Sequence, residues 1–94
     1  MAAAHLQQRV VHFEGHVQGV GFRQTTRMLA QRFAVSGYVQ NLPDGRVKLV
    51  AMGTPLDIEQ FEKSIHDRLG EFIRGRSADI LPATDEFTGF EIRY

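Results

Sequence analysis

Apolar residues recur along this chain with two different periods, and the switches between them mark out its elements. Between Arg9 and Glu14 the pattern alternates: Val11 and Phe13 share one face and Val10 and His12 the other, as in a half-buried strand. From Phe22 the spacing changes. Phe22, Thr26, Leu29, Ala30 and Phe33 recur at i, i+4, i+7, i+8 and i+11, which predicts a helix over Phe22 to Ala34, ended near Ser36-Gly37. Gly37 to Leu42 and Arg46 to Met52 return to strand character and, joined by Pro43-Asp44-Gly45, predict a hairpin. Thr54 then supplies a helix cap, Pro55 suits the first helical position and Asp57 the first turn, while Ile58, Phe61, Ile65 and Leu69 form one helical face. On this second helix Asp57, Glu59 and Glu62 read as dipole partners and a solvated face. Gly70 and Gly75 bracket an expected loop, Arg76 to Ala83 predicts a weaker strand with Ala78 and Ile80 on one face, and Phe90, Ile92 and Tyr94 share a face of the last strand. Residues 1 to 8 are small and polar and are expected to form a frayed extension, leaving a single domain over 9 to 94.

The order strand, helix, strand, strand, helix, strand, with a further C-terminal strand, matches the ferredoxin-like split βαβ plan. This is an α+β sandwich: an antiparallel sheet with two helices on one face. In it the first helix is a right-handed crossover, so strands one and two run parallel with strand three between them. Their C-terminal ends share one rim. Asn41, at the end of strand two, thereby comes beside the loop that ends strand one, and it shares a strand face with Val39.

That loop, Gly15-His16-Val17-Gln18-Gly19-Val20-Gly21-Phe22-Arg23, is where chemistry enters. Its glycines permit positive φ and close approach of a ligand to the main chain, and the amides of a helix N-terminus carry partial positive charge. Alone, the loop reads equally as a structural turn. With an arginine where the helix begins, it reads as an anion cradle in which the amides of roughly His16 to Phe22 and the Arg23 fork hold a phosphoryl group. Asn41 is either a turn asparagine or a group that accepts one hydrogen bond from water and holds it for attack. Thr26, one turn after Phe22, is either a half-buried helical threonine or a supporting hydrogen-bond partner.

Composition narrows the alternatives. The 94 residues leave no room for a second catalytic domain. Eleven basic residues balance eleven acidic ones, so bulk charge favours neither nucleic acid nor an anionic membrane. The absence of cysteine removes disulfides and thiolate nucleophiles and points to the cytoplasm. His5, His12, His16 and His66 are scattered without metal-ligand spacing, and Ser36 and Ser64 have neither partner base nor elbow motif. The first nine residues lack the apolar stretch of a signal peptide, and no run approaches transmembrane length.

Two signatures make the chain resemble the acylphosphatase family. The pattern Gly-x-Val-Gln-Gly-Val-x-Phe-Arg is complete at Gly15, Val17, Gln18, Gly19, Val20, Phe22 and Arg23. The second, Gly-aromatic-Val-x-Asn before a glycine turn, stands as Gly37-Tyr38-Val39-Gln40-Asn41, with Gly45, Val47 and Gly53 at the family's spacing. The match is close over residues 15 to 53 and looser beyond Thr54, and the segment from Gly70 to Asp79 departs from the family's proline-containing connection. The resemblance implies hydrolysis of acyl phosphates to a carboxylate and phosphate without metal or other cofactor. It casts Arg23 and Asn41 as the catalytic pair, and it implies that the proton goes to the substrate's own phosphate. A small-molecule substrate and a monomer are expected. The competing reading is a non-catalytic module of the same fold, like the front domains of larger hydrogenase-maturation proteins, binding carbamoyl phosphate or a similar anion; a chain of this length favours the enzyme. RNA binding, a third use of the fold, lacks the aromatic pattern on the central strands.

Overall fold

The computed structural model describes residues 6–84 and 87–94. Its elements in chain order are β1 (Gln7–Gly15), α1 (Phe22–Ala30), β2 (Ser36–Asn41), β3 (Val47–Gly53), α2 (Pro55–Leu69), a single 3₁₀ turn (Gly70–Phe72), β4 (Ile73–Pro82) and β5 (Phe90–Arg93). The expected α+β plan is present. One five-stranded sheet has the order β4-β1-β3-β2-β5, and β3 lies antiparallel between β1 and β2, whose C-terminal ends therefore share a rim.

Alternation along the strands decides which face is covered. Val11, Phe13, Val39, Leu49 and Ala51 from the sheet meet Phe22, Leu29 and Ala30 of α1 and Ile58, Phe61, Ile65 and Leu69 of α2 in one buried core. Phe13 packs against Phe22 at 5.3 Å between ring centres. Each such aliphatic or aromatic side chain removed from water contributes about 1.5–3 kcal/mol, so the apolar stripes of both helices determine where they dock. Thr54 caps α2 as expected: its Oγ1 accepts from the Asp57 amide at 3.2 Å and donates to the Asp57 carboxylate at 2.8 Å.

Several boundaries differ from the sequence expectation, each for a local reason. α1 stops at Ala30, because the amides of Gln31, Arg32 and Phe33 bond to carbonyls three residues back and tighten the chain into turns. Phe33 nevertheless stays in the apolar face, 5.9 Å from the Phe61 ring. β1 begins at Gln7, so Gln7 and Gln8, expected in the frayed extension, are paired with β3 and β4; residues 1–5 of that extension lie outside the described residues. The expected loop from Gly70 to Gly75 is a 3₁₀ turn followed directly by β4. An edge strand exposed along most of its length needs no apolar alternation, and this one shows little.

The sheet is mixed at one edge, whereas an antiparallel sheet was expected. β5 pairs parallel to β2. β4 and β5 are opposite edges of the sheet, and on the described residues between them the Thr84 amide meets the Met52 sulfur at 3.3 Å and the Gly89 carbonyl accepts from the Gly37 amide. Entering beside Gly37, β5 has to run in the direction of β2. Its C-terminal end is thereby delivered to the rim where β1 and β2 also end.

Glu62 departs from its expected place on a solvated face. It is buried between α2 and the sheet, where Arg76 grips both its carboxylate oxygens and Arg9 and His66 approach at 3.4 Å.

Candidate active site

The rim at the ends of β1, β2 and β5 encloses a cavity of about 330 Å³. Its walls are Val17, Gly19, Gly21, Phe22, Arg23 and Gln24 from the glycine loop and the first turn of α1, Asn41 from the end of β2, and Ile92 and Tyr94 from the β5 side. A larger hollow of about 760 Å³ lies between α2 and β4, lined by Arg9, Glu62 and Arg76 among others. There Arg9 and Arg76 both pair with the Glu62 carboxylate. The smaller cavity holds Arg23, which forms no ion pair among the described residues, and size does not outweigh that.

The loop residues divide by task. Gly15 has φ of +125°, and a Cβ there would run into the Phe72 carbonyl and the Arg74 amide, so this glycine admits the chain leaving α2. His16 donates its amide to the Phe72 carbonyl at 2.9 Å. The expected cradle amide at His16 is therefore already bonded within the protein, and Gly15 and His16 anchor the start of the loop instead. Val17 is a fully buried plug, Val20 packs against the core, and Phe22 is buried.

Gly19 and Gly21 have φ of +79° and +76° with open space where a side chain would begin, so backbone conformation and not crowding demands glycine. Gly21 is the N-cap of α1, and no side chain caps the helix. The first intrahelical bond runs from the Thr25 amide to the Gly21 carbonyl at 3.0 Å, and no backbone acceptor among the described residues takes the amides of 17 to 23. An uncapped helix N-terminus opening onto a cavity is a site for an anion.

Arg23 is half-buried and forms no ion pair among the described residues; its guanidinium rests over the Tyr94 ring. Asn41 is half-buried, and the neighbour two residues before it on the same strand face, Val39, is fully buried under the helices. That alternation aims Asn41 at the cavity, as the spacing predicts. Thr26 is different: it is fully buried, its hydroxyl has no partner among the described residues, and it is not part of the cavity wall. Of the two readings of Thr26, a buried helical threonine matches its burial, and the supporting hydrogen bond stays an expectation.

Two features escaped the sequence reading. The sequence pattern puts Tyr94 on a strand face with Phe90 and Ile92 but not at the site; the parallel pairing of β2 with β5 ends at Gln40 and Arg93, and the residues that follow, Asn41 and Tyr94, both line the cavity. Gln18 turns its side chain away from the cavity and donates to the Leu42 and Arg46 carbonyls. No local pattern signals either relation.

The arrangement offers backbone amides, a cationic fork and a neutral amide oxygen around one small cavity, which suits a tetrahedral anion and a nearby water. The acylphosphatase family model matches residues 9–92. An acylphosphatase of Lactobacillus gasseri is 55% identical over 84 residues, covering 85% of this chain and 90% of that protein. The crystal structure of an acylphosphatase from Bacillus subtilis superposes with a TM-score of 0.83 at 30% identity, covering 95% of this chain and 99% of that one. Full-length HypF, in its phosphate- and nucleotide-bound form, gives a TM-score of 0.88 at 27% identity, but this chain covers only 12% of its length. With both signatures gathered at one cavity and the family model spanning nearly the whole sequence, the chain belongs to the acylphosphatase family.

Proposed function

We propose that this acylphosphatase hydrolyses its substrate by direct attack of a water held at Asn41 on a phosphoryl group seated in the glycine loop. The observation that carries the reading is the shared cavity of Arg23, Asn41 and the uncapped N-terminus of α1. Family membership supplies the reaction class, an acyl phosphate and water giving a carboxylate and phosphate.

Phosphoryl transfer asks a protein mainly for positioning and for charge stabilisation on the equatorial oxygens. The amides between Val17 and Arg23 point partial positive charge at one set of oxygens, and the Arg23 fork donates to the others. Asn41 Oδ1 accepts a hydrogen bond from water, orienting a lone pair toward phosphorus from the side opposite the leaving group. As the water oxygen bonds to phosphorus, the bond from phosphorus to the acyl oxygen breaks and the carboxylate departs with that electron pair. It is the anion of an acid with pKa about 4, so it needs no proton donor. The proton lost by water goes to a phosphate oxygen, because an amide side chain is no base.

The same reading takes the chain as one domain acting as a monomer in the cytoplasm, on a small molecule and without nucleic acid. It is supported by a formal charge of zero and a sequence without cysteine. No helix among the described residues is long and apolar enough to cross a membrane. Likeness to HypF favours a second reading, an anion-binding module without turnover. Release of phosphate from benzoyl phosphate in the presence of chelator separates the two: turnover is the expected result, and binding of phosphate without turnover sinks the enzymatic mechanism.

A further inference from the structure

The glycine loop follows β1 and Asn41 ends β2, and in the sheet these strands are separated by β3. One side chain joins the two site segments directly. Gln18 Nε2 donates to the Leu42 carbonyl at 2.8 Å and to the Arg46 carbonyl at 3.0 Å. Those carbonyls form the neck of the β2–β3 hairpin, where Leu42 also donates its amide to the Arg46 carbonyl at 2.9 Å and Gly45 to the Leu42 carbonyl at 3.1 Å. Leu42 directly follows Asn41.

We infer that Gln18 is a positioning residue, whose bridging amide sets the placement of Asn41 relative to the phosphoryl cradle. A primary amide carries two N–H donors, and both hairpin carbonyls are acceptors. With both donors engaged, the Gln18 side chain keeps only an acceptor oxygen, which a phosphoryl anion repels. Its place in the loop therefore does not make its side chain a phosphate ligand. A glutamine is also the residue this geometry demands. Glutamate has the length but no donor to offer two carbonyls, and leucine has the bulk but no polar group. The inference rests on the reading that Asn41 holds the attacking water. Displacing that water by about 1 Å from its line of attack costs about 10²-fold in rate while leaving the phosphate contacts in place.

The test is benzoyl phosphate hydrolysis by Gln18→Leu and Gln18→Glu, each alone and combined with Asn41→Ala. Inorganic phosphate serves as competitive inhibitor and as the ligand protecting each variant from thermal unfolding. Each Gln18 substitution is expected to lower kcat about ten- to a hundredfold and to leave the phosphate inhibition constant within about threefold. On the Asn41→Ala background the same substitution is expected to change the residual rate by less than about twofold. An unchanged kcat in the single variants, an equal fold-loss on both backgrounds, or a phosphate constant that rises in step with the kcat loss overturns the inference. Native turnover by Asn41→Ala alone is a separate outcome: it sinks the water-holding reading, and the positioning role with it.

Discussion

The Arg23 guanidinium lies 4.9 Å from the centre of the Tyr94 ring. This contact ties the first turn of α1 to the residue just beyond β5, and it exists because β5 runs parallel to β2 and ends at the same rim. Tyr94 is 93% exposed, so the contact belongs to the weak, solvated class of cation–π pairs, worth about 0.5–1 kcal/mol. Tyr94→Ala is expected to weaken inhibition by phosphate about two- to fivefold through a freer Arg23, with Tyr94→Phe close to the native protein. Equal losses in both variants would assign the effect to the hydroxyl instead.

Removing the water-holding group differs from removing the anion grip. Asn41→Ala is expected to lower kcat by about 10² to 10³-fold while phosphate still inhibits at nearly its native concentration. Arg23→Ala is expected to cost about 10³-fold or more and to raise the phosphate constant as well. Arg23→Lys is expected to recover little, because a point charge does not reproduce a planar fork on two oxygens. Steady-state kinetics with phosphate as inhibitor reads all three, and loss of phosphate binding in Asn41→Ala would remove the division of labour.

The loop glycines are expected to fail in different ways. Gly15→Ala drives a methyl group into the backbone that follows α2, so unfolding should come at markedly lower denaturant. Gly21→Ala meets open space and suffers only the positive φ, about 1–2 kcal/mol, with the relaxation falling on the amides of the cradle. Urea unfolding and phosphate titration of the two variants should rank them in opposite orders. A larger stability loss in Gly21→Ala than in Gly15→Ala would contradict the assignment of tasks.

Stability in acid should depend on Glu62. Burial pushes its carboxyl up from the ordinary value of 4.5, but the hydrogen bonds and charges of Arg76 and Arg9 outweigh this and hold it below that value. A group whose pKa is lower folded than unfolded contributes its full stability above the unfolded value and loses it as pH falls through the folded one. Glu62→Gln is therefore expected to cost about 1–3 kcal/mol at neutral pH, with the gap to the native protein closing as pH drops below the ordinary carboxylate range. Urea unfolding across the acid range checks this, and a gap that stays constant with pH would place the loss elsewhere.

Much of this molecule is legible in its amino-acid order because the decisive signals are local. The apolar face of α1 from Phe22 to Ala30, the Thr54 cap with Pro55 behind it, and the glycines at 19 and 21 each act within a turn or two of themselves. The right-handed crossover then forces the ends of β1 and β2 to one rim, and strand alternation turns Asn41 inward with Val39, so even the pairing of loop and asparagine follows from sequence and handedness. Burial of Glu62 was not legible, since its partners Arg9 and Arg76 stand far from it along the chain and a helix position shows only its own residue type.

What only the tertiary structure decided concerns contacts between segments with no shared period. Gly15 and His16 look like cradle residues until the chain beyond α2 is laid against them and takes the His16 amide. Gln18 reads as one more loop residue until the hairpin neck comes within reach of its side chain. Tyr94 joins the site because β5 has to cross the sheet and enter parallel to β2, a choice made by the edge left open and not by the residues of β5 itself. Amino-acid order determines which backbone shapes and faces are available, through sterics and hydrophobic period; the packed sheet decides which distant donors, acceptors and rings then meet.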